Sequence, residues 1–303
     1  MYDKEKQAEN FYISFLTYTD SLFNSLSTGK GLDFQSIQKK IKAVCEFVHL
    51  DRNHIVYVMQ TAERYKNPHV SHSVRSCIIA IIIGIYLKMQ RHQLIELGVT
   101  DLLCNIGALS LSGRIYTRSE GALNLLKSGT DTEKKILFDH PMYAYRTLKS
   151  FNFPLSICEA VLQHHEHEDG TGFPQQLKGK DIGLYAKILV VAGFYEAFSM
   201  EHIDGIKCGH SGMLQILKNS GSFNVSVIRA LVNSISIYPV GIYVLLSNGE
   251  CGQVIDIDKE NPRFPIVEIF GKHLPYEIVR TSKELSISRP LNNGEVENAV
   301  TDN

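Results

Sequence analysis

The sequence predicts a mainly α-helical protein that carries a small antiparallel β unit near its C-terminus. Apolar residues recur at helical spacing in the segment that follows Asp33. An apolar run over residues 77–87 fits a helix that is buried inside a globular core. Near the C-terminus, apolar segments flank Asn248 and Gly249, a pair that favours a β-hairpin. Together these observations indicate a helical core followed by a hairpin.

The N-terminal region is expected to consist of helices. Asp33 can cap a helix whose apolar positions share one face, namely Ile37, Ile41, Val44 and Val48. Gly29 and Gly31 separate this helix from an earlier aromatic-rich helical segment, and a third helix is expected over residues 53–65. None of these segments carries residues that point to chemistry, so packing or regulation is the expected role.

The C-terminal region changes character. Hairpin strands are expected at residues 242–246 and 253–257, with a third strand near residues 265–270. The last segment turns polar and acidic, which is typical of a disordered tail. The predicted organisation is an N-terminal helical region, a helical core, a small β unit and a disordered tail, at residues 1–50, 51–236, 237–285 and 286–303.

Composition limits the classes of partner. The chain has 303 residues, 44% of them hydrophobic, and a formal net charge of −1. This supports a sizeable core and gives no overall basic field for a nucleic-acid polymer or an acidic membrane. The six cysteines lack CxxC spacing, and the apolar run is too short to cross a bilayer. We therefore expect a soluble, cytoplasmic protein with reduced thiols.

The chain is organised around an eleven-residue stretch that begins at His164 and ends at Pro174. It reads His-His-Glu-His-Glu-Asp-Gly-Thr-Gly-Phe-Pro. Two adjacent imidazoles can ligate one metal ion if the backbone turns between them, and the glycines allow a tight loop to follow. The alternative is a polar surface loop that happens to contain three histidines.

This stretch resembles the signature HHExxDGxGYP of the HD-GYP family, with Phe173 where the family usually has Tyr. The resemblance runs from about residue 67 to residue 270. It implies an HD-type helical core and a metal-dependent phosphohydrolase, and many members cleave the bacterial second messenger cyclic di-GMP.

The resemblance also implies which residues hold metal. Asp139-His140-Pro141 matches an element whose His is a ligand, so His140, His164 and His165 would serve one metal ion. His72, in a His-Ser context at the head of the buried helix, matches a ligand of a second ion and is a further candidate. Three imidazoles with a water in the fourth place form a reasonable site.

Several family positions are changed in this chain. Where the family has LLHDIGK, this chain has Cys104, Asn105 and Ala108 in place of His, Asp and Lys. A late metal-binding Asp is replaced by Gly193, and a basic phosphate-binding stretch by the acidic segment 199–204. An Asn amide cannot neutralise two bridged cations, and a Cys between apolar neighbours is more often an inert thiol than a soft-metal ligand.

These changes predict a degenerate HD-GYP protein that binds a ligand or partner with little or no hydrolysis. We expect at most one transition-metal ion (Fe, Mn or Zn), or none. The resemblance suggests a cyclic dinucleotide or a diguanylate cyclase domain as the partner. An active cyclic di-GMP phosphodiesterase with a reduced metal site is the first alternative, and a structural interaction protein without metal is the second.

The loop after the histidines is a candidate interaction surface. Its residues are Asp169, Gly170, Gly172, Phe173 and Pro174. If the glycines hold a turn that projects Phe173, this ring can anchor a partner. The equally supported alternative is that Phe173 packs against the helix that carries His164.

Overall fold

The computed structural model describes residues 2–62, 65–109, 130–199, 202–203, 206–207, 209–236, 238, 240–258, 261, 264–270, 277–291 and 294–296. Three helices open the chain, at Tyr2–Ser27 (α1), Phe34–Leu50 (α2) and Arg52–Thr61 (α3). The predicted cap is confirmed, because Asp33 accepts a hydrogen bond from the backbone N–H of Gln35 at 3.0 Å. The third helix ends at Thr61, four residues earlier than predicted.

The apolar run lies in the central helix of the core. Helix α4 (Pro68–Tyr86) is long and apolar enough by composition to cross a membrane, but most of it is buried inside the protein. Asn67 caps its first turn by accepting a hydrogen bond from the backbone N–H of His69. Helix α5 (Arg91–Leu103) packs on α4, and a short 3-10 helix (Ile106–Ala108) follows.

The remaining core helices surround α4 and α5. They are α6 (Asp131–Ser150), α7 (Leu155–Leu162), α8 (Leu184–Ser199), α9 (Gly209–Lys218) and α10 (Val225–Ser234). Short 3-10 helices occur at Gly179–Asp181 and Ser220–Ser222. A β-carbon on Gly107 would lie 2.2 Å from the carbonyl oxygen of His140, so the glycine lets the 3-10 helix after α5 touch α6 directly.

The predicted β unit is present and larger than expected. A two-stranded ladder joins β1 (His202–Ile203) to β2 (Ile206–Lys207). The C-terminal sheet comprises β3 (Tyr243–Leu246), β4 (Cys251–Asp256), β5 (Ile266–Ile269), β6 (Ile278–Arg280) and β7 (Ile287–Pro290). Its antiparallel order is β6-β5-β4-β3-β7.

The predicted tail boundary is wrong at its start. Strand β7 falls inside the segment that was expected to be disordered from residue 286 onward, and it pairs with β3. Its polar side chains are compatible with a strand because β7 is at the edge of the sheet, where one side remains open to water. Residues 297–303 lie outside the described part of the chain.

The molecule contains two apolar clusters. The large one lies among the helices, and the small one lies within the C-terminal sheet, around Val244, Val254 and Val267. The side-chain amide of Asn53 on α3 donates to the carbonyl of Ile257 at 3.0 Å, which connects the sheet to the helices. Among the described cysteines, Cys45, Cys77, Cys104, Cys158 and Cys251 are free thiols, and Cys208 lies outside that part.

Candidate metal centre

Three histidines from two helical segments converge in the core. His140 lies in the middle of α6, whereas His164 and His165 follow the last turn of α7, where the backbone leaves the helix. One ligand nitrogen from each ring lies within 4.8 Å of the others. The structure therefore brings together the three residues that the sequence assigned to one metal ion.

Hydrogen bonds fix the tautomers of two of these rings. The Nδ1 atoms of His140 and His164 each lie 2.6 Å from a backbone carbonyl, of Leu137 and Val161 respectively. A carbonyl can only accept, so each Nδ1 carries the proton and each Nε2 has a free lone pair. The two Nε2 atoms are 3.1 Å apart. Two nitrogens on one metal at about 2.1 Å lie about 3.0 to 3.4 Å apart, so this spacing suits a shared cation.

Burial keeps these imidazoles neutral. It lowers the pKa of His164 to about 4 and, together with the neighbouring His164, brings the pKa of His140 and His165 well below the usual range. The Nε2 atom of His165 is buried and has no hydrogen-bond partner among the described residues. An orphaned buried nitrogen beside two converging lone pairs fits a metal ion, because neutral imidazole is the form that ligates one.

The first carboxylate of the motif holds the loop in place. Glu166 is 1% exposed, and it accepts hydrogen bonds from the backbone N–H groups of Gln175 at 2.6 Å and Leu177 at 2.9 Å. Such charge-assisted bonds to backbone N–H groups are among the strong ones in proteins. Glu166 therefore fixes the loop that covers the histidines.

The other two acidic residues of the motif are also engaged in packing. Glu168 forms an ion pair with Lys187 at 3.0 Å and accepts a hydrogen bond from the side-chain amide of Asn224 at 2.9 Å. Asp169 accepts from the backbone N–H and the hydroxyl of Thr171, and from the hydroxyl of Ser222. These bonds lower the pKa of Asp169 to about 2. The carboxylates thus shape the loop.

The glycines and Phe173 bring the loop against the histidines. A β-carbon on Gly172 would lie 2.4 Å from the carbonyl oxygen of His165, so only glycine allows this close approach. Phe173 stacks on His165, with ring centroids 4.6 Å apart, and meets Phe138 edge-on at 5.2 Å. Phe173 and Pro174 are half-buried. The ring packs beside His165 as the packing alternative expected; a role of the loop in binding remains a prediction.

Gly170 has a separate role in the turn. Its backbone adopts φ +81°, a left-handed conformation that favours glycine. A β-carbon there would lie 2.2 Å from the Cε atom of Lys178, so this residue also lets a lysine stem cross the turn.

An HD domain family model matches residues 57–222 of the chain. The chain belongs to the HD domain family. It is 27% identical over 210 residues to the cyclic di-GMP phosphodiesterase PdeB of Borreliella burgdorferi, which covers 68% of this chain and 53% of that protein. It is also 27% identical over 256 residues to the cyclic di-GMP phosphodiesterase PA4108 of Pseudomonas aeruginosa, covering 82% and 59%. The chain thus spans between half and two thirds of the length of these relatives.

A solved structure supports the fold. Bd1817, an HDG"Y"P protein from Bdellovibrio bacteriovorus, superimposes with a TM-score of 0.60 over 75% of this chain and 71% of that chain, at 16% identity. The expectation of an HD-type helical core with N-terminal helices and a C-terminal β unit is confirmed.

His72 is not part of the three-histidine group in this HD domain. Its Nδ1 atom lies 2.5 Å from a carboxylate oxygen of Glu196, and Arg75 lies 3.6 Å from the other oxygen. Burial by itself lowers the pKa of His72, but Glu196 outweighs it and the pKa is raised. A β-carbon on Gly193 would lie 3.9 Å from the Cε1 atom of His72. The position that has lost its carboxylate therefore faces His72, as the resemblance implies.

The changed positions after α5 offer no charged ligand. Cys104 is buried, its thiol donates to the carbonyl of Asp101 at 3.2 Å, and burial raises its pKa well above the usual value. The amide of Asn105 donates to the Cys104 sulfur at 3.4 Å, and Ala108 is buried. The thiol is therefore protonated and behaves as an inert core group. Of the segment 199–204, residues 200, 201 and 204 lie outside the described part.

Two buried acids were missed in the sequence. Asp101 is three residues before Cys104, and Glu196 is three residues after Gly193, so each lies about one helical turn from a lost ligand position. One oxygen of Asp101 accepts from Ser76 at 3.1 Å, and burial raises the pKa of this acid to about 7. Acidic residues inside strongly apolar helices were the available signal, because such residues are rarely buried without a partner.

Proposed function

We propose that this chain binds one transition-metal ion through His140, His164 and His165, and binds a cyclic dinucleotide beside that ion with little or no hydrolysis. The observation that carries the proposal is the convergence of three neutral imidazoles next to positions that lack carboxylates. The metal would be Fe, Mn or Zn, all of which accept imidazole ligands.

The three-histidine group supports a single open metal site. Three protein ligands leave at least one coordination position for water or for an oxygen of a ligand. A metal ion held there supplies a positive charge and a Lewis acid for a phosphoryl oxygen. The His residues themselves are held by α6 and by the turn after α7, and the loop that Glu166 anchors covers one side.

The ligand class follows from the curated relatives. Those at 27% identity are named cyclic di-GMP phosphodiesterases, so a cyclic dinucleotide is the ligand class to test first. The phosphodiester groups of such a molecule are anionic and suit a site that holds a metal cation.

The chemistry of the site argues against efficient hydrolysis. Two-metal cleavage of a phosphodiester requires ligands that bridge and neutralise a pair of cations. Asn105 is neutral, Gly193 has no side chain and the thiol of Cys104 is held protonated by burial. No described carboxylate joins the three-histidine group within metal-ligand distance.

An active phosphodiesterase with one metal ion is the alternative, and the names of the relatives favour it. A protein that binds no metal is a weaker alternative, because it leaves the orphaned nitrogen of His165 without a purpose. A diguanylate cyclase domain remains a proposed partner for the loop around Phe173.

Three measurements on one preparation test the proposal. Elemental analysis should return one metal ion per chain, and calorimetry should detect binding of cyclic di-GMP or of a mixed cyclic dinucleotide. Chromatography of the same mixture should show the dinucleotide intact after prolonged incubation. Metal-dependent release of linear dinucleotide, lost in His165→Ala and kept in His167→Ala, would establish the active alternative. Absence of both metal and ligand binding would refute the proposal.

A further inference from the structure

A hydrogen-bonded chain of four side chains links the N-terminal helix to the edge of the metal centre. The hydroxyl of Tyr12 on α1 accepts from Nε of Arg75 on α4 at 3.0 Å. Arg75 forms an ion pair with Glu196 on α8 at 3.6 Å, and Glu196 receives Nδ1 of His72 at 2.5 Å. Arg75 is 7% exposed and Glu196 is 3% exposed, so this contact is shielded from water.

The chain defines which nitrogen of His72 carries the proton. Glu196 faces a guanidinium, so it is a carboxylate and can only accept. The Nδ1 atom of His72 must therefore donate to it, which leaves Nε2 on the opposite edge of the ring. A carboxylate that accepts from one ring nitrogen is the usual device for orienting a histidine whose other nitrogen works at a metal site.

The free edge of His72 belongs to the surroundings of the three histidines. Its Cε1 atom, which adjoins Nε2, faces the space left open at Gly193. The His72 ring also lies near enough to lower the pKa of both His164 and His165. Because His72 stands outside the three-histidine group, its Nε2 is available to a molecule bound beside the metal ion.

We propose that Glu196 is a positioning residue of this site, which acts through His72 by holding its ring so that Nε2 contacts an oxygen of the anion bound next to the three-histidine metal ion. This inference rests on the proposed metal centre. It adds a second contact to the anion and names the residue that orients it. Arg75 and Tyr12 hold Glu196 in turn.

The first test concerns the ring itself and needs no metal. Nitrogen NMR of metal-free protein with labelled histidines should show His72 with its proton on Nδ1. Glu196→Ala should abolish that preference, whereas Glu196→Gln should retain it, because an amide oxygen also accepts. Glu159→Ala, at an exposed position on α7, is the matched control and should leave the His72 signals unchanged. A His72 that carries its proton on Nε2 in the unaltered protein would overturn the proposal.

The second test measures whether Glu196 acts through His72. Cobalt(II) replaces the native metal, and titration with inorganic phosphate is followed by the visible spectrum of the cobalt ion. Loss of a hydrogen bond to a charged group corresponds to about a tenfold weaker phosphate affinity, which we expect for Glu196→Ala and for His72→Ala. Glu159→Ala should bind phosphate as tightly as the unaltered protein.

The double variant His72→Ala with Glu196→Ala decides between positioning and general damage. If Glu196 acts only through His72, the double variant binds phosphate as weakly as His72→Ala alone. A further tenfold loss in the double variant, or unchanged affinity in His72→Ala, would overturn the proposal. Cobalt affinity should stay within about twofold in all these variants, because none removes a ligand of the three-histidine group.

Two complications have defined controls. If Glu196→Ala fails to fold because Arg75 is left unpaired, Glu196→Leu with Arg75→Met removes both buried charges and takes its place. If cobalt does not bind to the unaltered protein, the proposed metal centre is refuted, and the NMR test alone then decides whether Glu196 orients His72.

Discussion

The Nε2 atoms of His140 and His164 face each other across 3.1 Å, and both rings donate their Nδ1 protons to backbone carbonyls. A direct hydrogen bond between the two Nε2 atoms would require one ring to be an imidazolium. Burial opposes this by lowering the pKa of both rings. A metal ion resolves the opposition of the two lone pairs, and it also supplies a partner for His165.

Metal content is the first prediction. The unaltered protein should hold one transition-metal ion per chain, and His164→Ala should lower its occupancy at least tenfold, because one of three ligands is removed. The control is His167→Ala, since that ring contacts Thr171 and lies outside the three-histidine group. Elemental analysis after exhaustive dialysis measures the occupancy. Two or more tightly held ions, or unchanged occupancy in His164→Ala, would contradict the assignment.

Catalysis is the second prediction. Hydrolysis of cyclic di-GMP by the unaltered protein should be negligible, whereas Asn105→Asp combined with Gly193→Asp should add a second metal ion and measurable turnover. A β-carbon at Gly193 meets only ordinary contacts, 3.7 Å from Ser76 and 3.9 Å from His72, so there is room for the start of a side chain. Metal count and product chromatography check both parts. Robust turnover without these changes shows instead that the native site is active.

The third prediction is a pH dependence of the metal-free protein. Burial lowers the pKa of His164 in the folded state to about 4, whereas the unfolded value is near 6.5. The unfolded state therefore binds more protons between these values, and stability is full above about pH 6.5 and falls as pH drops towards 4. For His164 alone the loss amounts to about 3 kcal/mol.

Urea unfolding of metal-free protein between pH 7 and pH 4 measures this loss. His164→Phe removes the titrating group and should flatten the profile over that range. An equally steep profile in His164→Phe would show that other buried groups, such as His140 and His165, dominate.

The fourth prediction concerns Phe173. Its ring is half-buried against His165 and Phe138, so Phe173→Ala should lower the free energy of unfolding by about 2 kcal/mol, less than for a fully buried Phe. Phe173→Tyr preserves the stacking and should be nearly neutral. Thermal unfolding measures both. An unchanged melting temperature in Phe173→Ala, with weaker binding of a diguanylate cyclase domain, would instead identify the loop as an interaction surface.

The fifth prediction concerns Glu166. Replacing it with Ala removes two charge-assisted hydrogen bonds to Gln175 and Leu177, so the unfolding free energy should fall by about 3 kcal/mol. Glu166→Gln keeps one acceptor oxygen and should cost about half as much. Glu159→Gln, at an exposed position, should have no effect. If Glu166→Ala lowers metal occupancy without loss of stability, Glu166 serves the metal centre and not the loop.

Local patterns in the sequence were enough for much of the fold. The Asp33 cap, the buried run in α4 and the hairpin around Asn248 all depend on near neighbours along the chain, and each is found where it was predicted. Strand β7 was missed because its pairing with β3 depends on residues about forty positions earlier. A polar edge strand gives little periodic signal of its own.

The sequence by itself determined the ligand set. Adjacent histidines before a glycine loop, and a histidine before Pro141, were sufficient to name the three residues that converge. Only the tertiary structure decided the work of the carboxylates, because Glu166, Asp169 and Glu196 find partners 9, 53 and 124 positions away. A buried charge is stable only with such a partner, and the partner is fixed by how the helices pack and not by the spacing of residues along the chain.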